Sequence, residues 1–470
     1  MNWKKWISIA AAVCLVVTAV PMRAVAQEEL VQEKMLEEIK EEIKEELKEE
    51  LKEEKEEQKE EKEELKEEKE EQKEEKEKLQ EQSDEKTEPQ EESKKELLKG
   101  ISLLMEEENS TAVSGNETAD FEGEGTAANP YEIQNVEDLK KLAEKVNGDE
   151  TANSGVTYEG KHFQLTANID LKNEEWTPIG TIVYTGEFGR SEERYFKGTF
   201  DGDGHQIANL TITGRNEYVG LFGYVRNATI QNCNVAGEVS GYNAVGGIVG
   251  AVDGKTNNIL NCSFQGNVTG NVYVGGIVGQ VQNQCEVSSC YAIGTVHGGN
   301  DKVGGIAGEG RGAIKNCYAL ADVSAGGKFV GGIAGDASSV TIENCYYSGE
   351  VSARGSAGGI VGNVWRGTIQ NCVSLAESVT GSNTNRIVGN IYNLTLTNNY
   401  AWSDPALSAD DDAGLNGANF TYTNGTLSKQ FSEIFKNDSA WKFTDNGLPI
   451  LKNVGGVQFS ELPKCMTGVG

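Results

Sequence analysis

The sequence predicts an all-β fold: a right-handed parallel β-helix, a solenoid whose coils repeat at intervals near 27 residues. Three observations carry this. Val-Gly-Gly-Ile-Val-Gly at Val245–Gly250 returns at Val274–Gly279, then with Ala as its fifth residue at Val303–Gly308 and Val330–Gly335, and again at Ala357–Gly362. With degenerate copies at Val219–Gly223 and Thr384–Gly389, successive starts are 26, 29, 29, 27, 27 and 27 residues apart. A fixed period of this size marks one unit stacked on itself. Asn-Cys keeps the same beat at Cys233, Cys262, Cys317, Cys345 and Cys372, with Ser289-Cys290 in its place once and Asn398-Asn399 closing the series. Val follows six residues after the Cys at Val239, Val268, Val296, Val323 and Val351, slipping by one at Val379.

Each coil therefore reads as three short strands separated by Gly and Asn turns. No helix-period segment fits between them, and Gly at this density opposes a helix. Like residues then stack on like at about 4.8 Å. Alternation with the Val positions turns Cys233, Cys262, Cys290, Cys317, Cys345 and Cys372 inward as a ladder of buried thiols. A step of about 4.8 Å between Cβ atoms exceeds the usual disulfide range. A collinear row is also no tetrahedral metal site. Cys285 and Cys465 are the remaining thiols once Cys14 leaves with the leader.

The hexapeptide with its Asn-Cys follow-on resembles the GLUG repeat of secreted bacterial surface proteins. The same repeat occurs in the non-catalytic part of some IgA-cleaving metallopeptidases. The resemblance covers Val219 to about Tyr400 and extends loosely upstream through Phe196–His205. It implies a β-helix and carries no activity with it, because function is grafted on folds.

Formal net charge is −31. Gln27–Glu108 holds 36 acids and 17 bases. Phosphate binding needs clustered Lys and Arg, so nucleic acid is excluded as a partner. Residues 1–26 read as a signal peptide: Lys4 and Lys5, the apolar stretch Ile7–Val20, and Ala24-Val25-Ala26 at the cleavage site. A membrane anchor is the other reading, for which the stretch is short. Residues 27–83 form a Glu/Lys-rich stalk. With Lys55, Lys62, Lys69 and Lys76 at heptad position a, position d is Gln58, Leu65, Gln72 and Leu79. Such a seam is thin, so a solvated single helix and a weakly self-associating coiled coil both stand. Either is a spacer, roughly 65 Å long if helical.

Residues 84–120 read as a linker. Residues 121–213 hold the first coils and their cap, 214–400 the repeats, and 401–470 a C-terminal cap. At the start, Asn135 is placed to cap a helix with Asp138 at the fourth position. Val136, Leu139, Leu142, Ala143 and Val146 give it an apolar face, and Asn147-Gly148 ends it. Its role is to cover the open first coil, whose edge would otherwise invite aggregation. Gly186–Tyr195 reads as a charged loop. Trp441, Phe443, Leu448 and Ile450 supply apolar bulk for the far cap.

The chain shows no HExxH, GxSxG or Walker pattern among its 470 residues, so no catalytic residue, metal or cofactor is assigned. Asp201 and Asp203 in FDGDGH form either a turn or a carboxylate pair with calcium-binding character; Asp410–Asp412 reads as an exposed acidic loop, with calcium binding as its other reading. Parity turns the residue after each inward Cys outward. Tyr291, Tyr318 and Tyr346 then form an exposed aromatic ladder on three consecutive coils, able to stack on a glycan or peptide or to stabilise the sheet by cross-strand pairing. The expected function is a secreted or cell-surface adhesion protein that binds glycan or host protein without catalysis. A β-helix lyase or hydrolase and a purely structural envelope component are the alternatives.

Overall fold

The computed structural model describes residues 120–148, 155–185, 190–402, 414–421, 426–444, 447–463 and 466. The signal peptide, the stalk, the linker as far as residue 119, Asp410–Asp412 and Cys465 lie outside the described residues. The described part belongs to one compact unit, Glu117–Gly470.

That unit is a parallel β-solenoid built from three sheets of thirteen, ten and six strands. The hexapeptide supplies the six-stranded sheet at its start and the thirteen-stranded sheet at its end. The segment after each Cys supplies the ten-stranded sheet. Hexapeptide pairs with hexapeptide from coil to coil: Val245 on Val274, Val274 on Val303, Val303 on Val330 and Val330 on Ala357. The extra residue that moves Val379 is absorbed as a register shift opposite Gly349 and Glu350, and Val351 still pairs with Val379. The first coils join the same sheets, since Tyr131–Ile133 pairs with His162–Leu165 and that strand with Thr199–Asp201.

Helix α1, Val136–Asn147, begins where the cap residue predicts. The Asn135 side chain accepts from the Glu137 and Asp138 N–H groups at 2.9 and 3.1 Å. The Asp138 carboxylate reaches back to the Gln134 N–H at 3.0 Å, one residue further than a standard capping box. Leu139, Leu142, Ala143 and Val146 are buried in the same apolar core as the first strands, and Gly148 ends the helix with φ 62°.

One expectation fails here. Gly186–Tyr195 is not a plain loop: Thr181–Thr185 and Arg190–Arg194 form an antiparallel hairpin beside the coils. Its second strand, Arg190–Arg194, consists of Arg, Ser and Glu, so apolar periodicity gives no strand signal there.

The interior column is apolar. Cys233, Cys262, Cys290, Cys317, Cys345 and Cys372 are all buried and unbridged, as is Cys285. Thiols of the ladder donate to the carbonyl two residues earlier, for example Cys317 to Lys315 at 3.1 Å and Cys345 to Glu343 at 3.2 Å. The Asn before each Cys has a different reason to exist. Asn232, Asn261, Asn316, Asn344, Asn371 and Asn398 hold φ between 51° and 55°, a left-handed conformation that Asn tolerates better than most residues. Their amides also bond up the stack: Asn261 to Asn232 at 3.1 Å, Asn371 to Asn344 at 3.1 Å and Asn398 to Asn371 at 2.7 Å.

The glycine pair of the hexapeptide serves space rather than backbone angle, as neither Gly276 nor Gly305 has positive φ. The second glycine faces the interior. A Cβ on Gly276 would meet the Gly305 carbonyl at 2.2 Å and Ala292 Cβ at 2.6 Å; one on Gly305 would meet the Gly332 carbonyl at 2.2 Å and Ala319 Cβ at 2.6 Å.

Candidate functional site

The outer face of the ten-stranded sheet carries one column through the register Ser263, Tyr291, Tyr318, Tyr346, Val373 and Tyr400. The three Tyr rings stack as alternation predicts, with centroids 4.9 Å apart and planes within 4° at both steps. Their exposure, however, is 1%, 0% and 0%. The expected open binding strip is therefore corrected: the ladder points away from the solenoid interior and is covered by the chain's own C-terminal segment.

Beyond Gly417 that segment also leaves the end of the coils, where residues 401–470 were expected to form a cap. Ala418–Phe420 adds a last strand to the ten-stranded sheet. Helix α2, Leu427–Ile434, and the residues after it then run back along the sheet's outer face. Phe431, Phe435, Trp441, Leu448 and Leu451 form a second apolar core with the Tyr column. The hydroxyls are matched one by one. Tyr346 donates to the Pro449 carbonyl at 2.9 Å, Tyr318 to Gln458 Oε1 at 3.1 Å and Tyr291 to the Gly455 carbonyl at 2.8 Å. The Trp441 indole donates to Asn316 Oδ1 at 3.1 Å. Buried aromatic hydroxyls so satisfied describe an internal interface, not a waiting one.

The acid pair in FDGDGH resolves as a turn. Asp201 accepts from the Asp203 N–H at 2.8 Å, from Asn232 at 2.8 Å and from Gln231 at 2.7 Å, so its carboxylate joins the foot of the Asn ladder. A second acidic pair, which the sequence reading missed, sits on the outer column of the thirteen-stranded sheet. Glu309 and Asp336 pair in register and share Lys302, at 3.7 and 2.8 Å. Arg311 contacts Glu309 at 3.2 Å, and Gln280 and Asn363 hydrogen-bond to the two carboxylates at 3.1 and 2.7 Å. Burial opposes the Lys302 charge, but Asp336 and Glu309 more than offset it and hold its pKa above the usual lysine value. With side chains only 5% and 12% exposed, both acids are committed to this cluster.

The exposed aromatic feature lies further up the same sheet. Trp365 and Tyr392 are 54% and 71% exposed and stack with centroids 4.1 Å apart and planes within 3°. They belong to the paired strands Val361–Gln370 and Val388–Thr397. The signal was in the repeat: Val-Gly-Asn-Val-Trp and Val-Gly-Asn-Ile-Tyr lie one period apart, 27 residues.

Burial raises the pKa of several titratable groups of the interior. It pushes the Cys233 thiol up to about 12 and raises Cys262, Cys317, Cys372 and Tyr346 well above their ordinary values. Each group is neutral in the fold and loses its proton more readily once unfolded. Their stabilisation is whole below the ordinary thiol value of 9.0 and declines as pH rises from there toward about 12. The thermal midpoint is expected to fall steadily over that window, and a midpoint that rises across it contradicts buried neutral thiols.

Residues 270–296 match the family model described as the GLUG motif. Among curated proteins, halomucin of Haloquadratum walsbyi is 30% identical over 202 residues, which is 41% of this chain and 2% of halomucin. A protein of Evansella cellulosilytica, provisionally described as a Gly-rich membrane protein, is 27% identical over 146 residues, 29% of this chain and 14% of that one. The chain thus spans a small part of these relatives. Among solved structures, a Bacteroides ovatus protein provisionally described as an immunoglobulin A1 protease has a TM-score of 0.46 at 24% identity, covering 71% of this chain and 96% of its own. A chain described as IgA1 protease has a TM-score of 0.42 at 16% identity, covering 70% and 26%. The chain is a parallel β-helix protein that carries the GLUG motif.

Proposed function

We propose that this chain is a non-catalytic β-helix displayed outside the cell, where it binds a glycan or a host protein. The observation that carries the reading is the Trp365–Tyr392 stack. Large aromatics held open on rigid strands are binding elements, since exposed apolar clusters of this kind mark interaction sites. The similarity to halomucin and to a Gly-rich membrane protein supports surface location, as do a leader-like residues 1–26 and a stalk-like residues 27–83. Weak self-association through the stalk fits the same picture. The rival enzyme reading draws on Glu309, Asp336, Lys302 and Arg311, but the two carboxylates are largely buried and already paired with Lys302 and Arg311. A lyase needs such groups free to meet substrate.

The test is to present the full-length chain to arrays of glycans and host extracellular proteins, and to assay the same polysaccharides for cleavage. Saturable, reversible retention without product is expected, and the Trp365→Ala/Tyr392→Ala variant should lose it while melting as the parent does. Release of unsaturated or newly reducing sugar ends would move the protein to the enzymes. Absence of any retained ligand would leave the structural envelope role.

A further inference from the structure

The last strand of the thirteen-stranded sheet, Val388–Thr397, pairs on one side only: its described partner is Val361–Gln370. Among the described residues, no further strand continues over it. Ile387 and Val388 donate to the Leu415 carbonyl at 3.0 and 3.1 Å. By Gly417 the chain has already reached Asn399, with the Ala418 N–H donating to the Asn399 carbonyl at 2.8 Å. Gly414–Gly417 thus crosses the mouth of the solenoid, with Leu415 packed on the main core. It omits the arm that would lie over residues 390–397. The ten-stranded sheet resumes at Ala418–Phe420. Among the described residues, a strand-sized place is left, bounded by Leu415 at one end and by Asn399 at the other.

The side chains along this edge match the vacancy. Ile391 is 41% exposed and Tyr392 71%, and both lie on the open strand. The Trp365 and Tyr392 planes are within 3° at 4.1 Å, so the stack runs along the solenoid axis. The free face of Tyr392 therefore looks toward the missing coil. Asn390 donates to Asn363 at 2.7 Å, and Asn363 to Asp336 at 2.7 Å, a ladder that ends with Asn390. The arm carries no charge from Val388 to Thr397. The means by which edges are usually protected, lysines or proline, are absent from it.

We infer that this edge accepts an extended segment of a partner polypeptide as one more parallel strand. The inference rests on the binding role proposed above and names its site and ligand class. The contacts between Val361–Gln370 and Val388–Thr397 show what such a segment must offer. It needs an amide beyond Asn390, an aromatic ring beyond Tyr392, Thr beyond Thr395 and an aliphatic beyond Leu396, in the register that places Thr368 on Thr395 and Ile369 on Leu396. Backbone pairing supplies affinity and these side-chain positions supply selectivity.

The probe is a dye-labelled synthetic peptide with the sequence of Val388–Thr397, titrated against the full-length chain beside a scrambled peptide. The ordered peptide is expected to bind and the scrambled one not. Hydrogen exchange at residues 390–397 should be fast in the free chain and slowed by the peptide. Ile391→Lys/Tyr392→Lys should weaken binding at least about tenfold through edge charge, with thermal melting unchanged. Three results overturn the inference: no binding of the ordered peptide, binding indifferent to the double variant, or protection of residues 390–397 in the free chain equal to that of residues 361–370. A glycan retained through Tyr392 by a chain that rejects the peptide overturns it also, while leaving the proposed function standing. Peptide binding by a chain that retains no glycan or host protein has the opposite meaning.

Discussion

Gly276→Val and Gly305→Val are each expected to destabilise the solenoid by about 3 kcal/mol or more, the upper range for overpacking a filled interior. The obstruction is backbone, which cannot rotate aside. A Cβ at either position would stand 2.2 Å from the carbonyl of the equivalent glycine one coil on. The coils cannot separate to make room, because the same glycines bond across the step: the Gly247 N–H to the Gly276 carbonyl at 3.2 Å and the Gly305 N–H to the Gly331 carbonyl at 3.3 Å. The opposing side chain varies with the coil, being Phe264, Ala292, Ala319, Tyr347 and Ser374 in turn. Glycine is thus the constant that lets the facing strand vary in bulk. Gly299→Ala is the control, since its nearest non-neighbour atom lies at 3.2 Å in the flexible Asn271 side chain. Denaturant melts read the difference. Parent-like stability in both Val variants would remove this account of the motif.

Trp441→Ala is expected to cost about 3–5 kcal/mol, as for other buried aromatic truncations. Trp441 is 1% exposed and lies against Tyr318, Tyr346 and Phe435, with ring centroids 6.1, 5.6 and 5.0 Å away. Its loss also strands Asn316 Oδ1. Because this C-terminal strap packs on the outer face of the sheet through a core separate from that inside the coils, the loss falls first on the strap and not on the coils. The variant should bind a hydrophobic dye and show fast hydrogen exchange over residues 427–463 at temperatures where the repeats remain protected. A single cooperative transition with no dye-binding stage would show that strap and coils melt as one.

The repeats were legible because a parallel solenoid writes its register into the chain. The 27-residue beat of the later hexapeptides, with the Asn-Cys pairs, marks the strands, the turns and the inward thiols in the sequence itself. The outward direction of Tyr291, Tyr318 and Tyr346 was legible for the same reason. Their burial was not. The groups that cover them lie 164, 140 and 103 residues away, at Gly455, Gln458 and Pro449. Those residues belong to a segment with no period to align. Apolar bulk at Trp441 and Leu448 announced packing there, but not which surface it packs on. The antiparallel hairpin was hidden by its charged strand. The Trp365–Tyr392 stack, by contrast, kept the repeat's spacing and was readable from Val-Gly-Asn-Val-Trp and Val-Gly-Asn-Ile-Tyr.

The central structural claim is that the chain uses up one aromatic column internally and leaves a different one open. Mild nitration of the native full-length chain with tetranitromethane, mapped by mass spectrometry, tests it most directly. Tyr392 and Tyr242, 71% and 41% exposed, should be modified early. Tyr291, Tyr318 and Tyr346 should stay unmodified until the chain is unfolded. Nitration of Tyr318 at a rate near that of Tyr392 would contradict the strap, and with it the placement of the binding surface on the thirteen-stranded sheet.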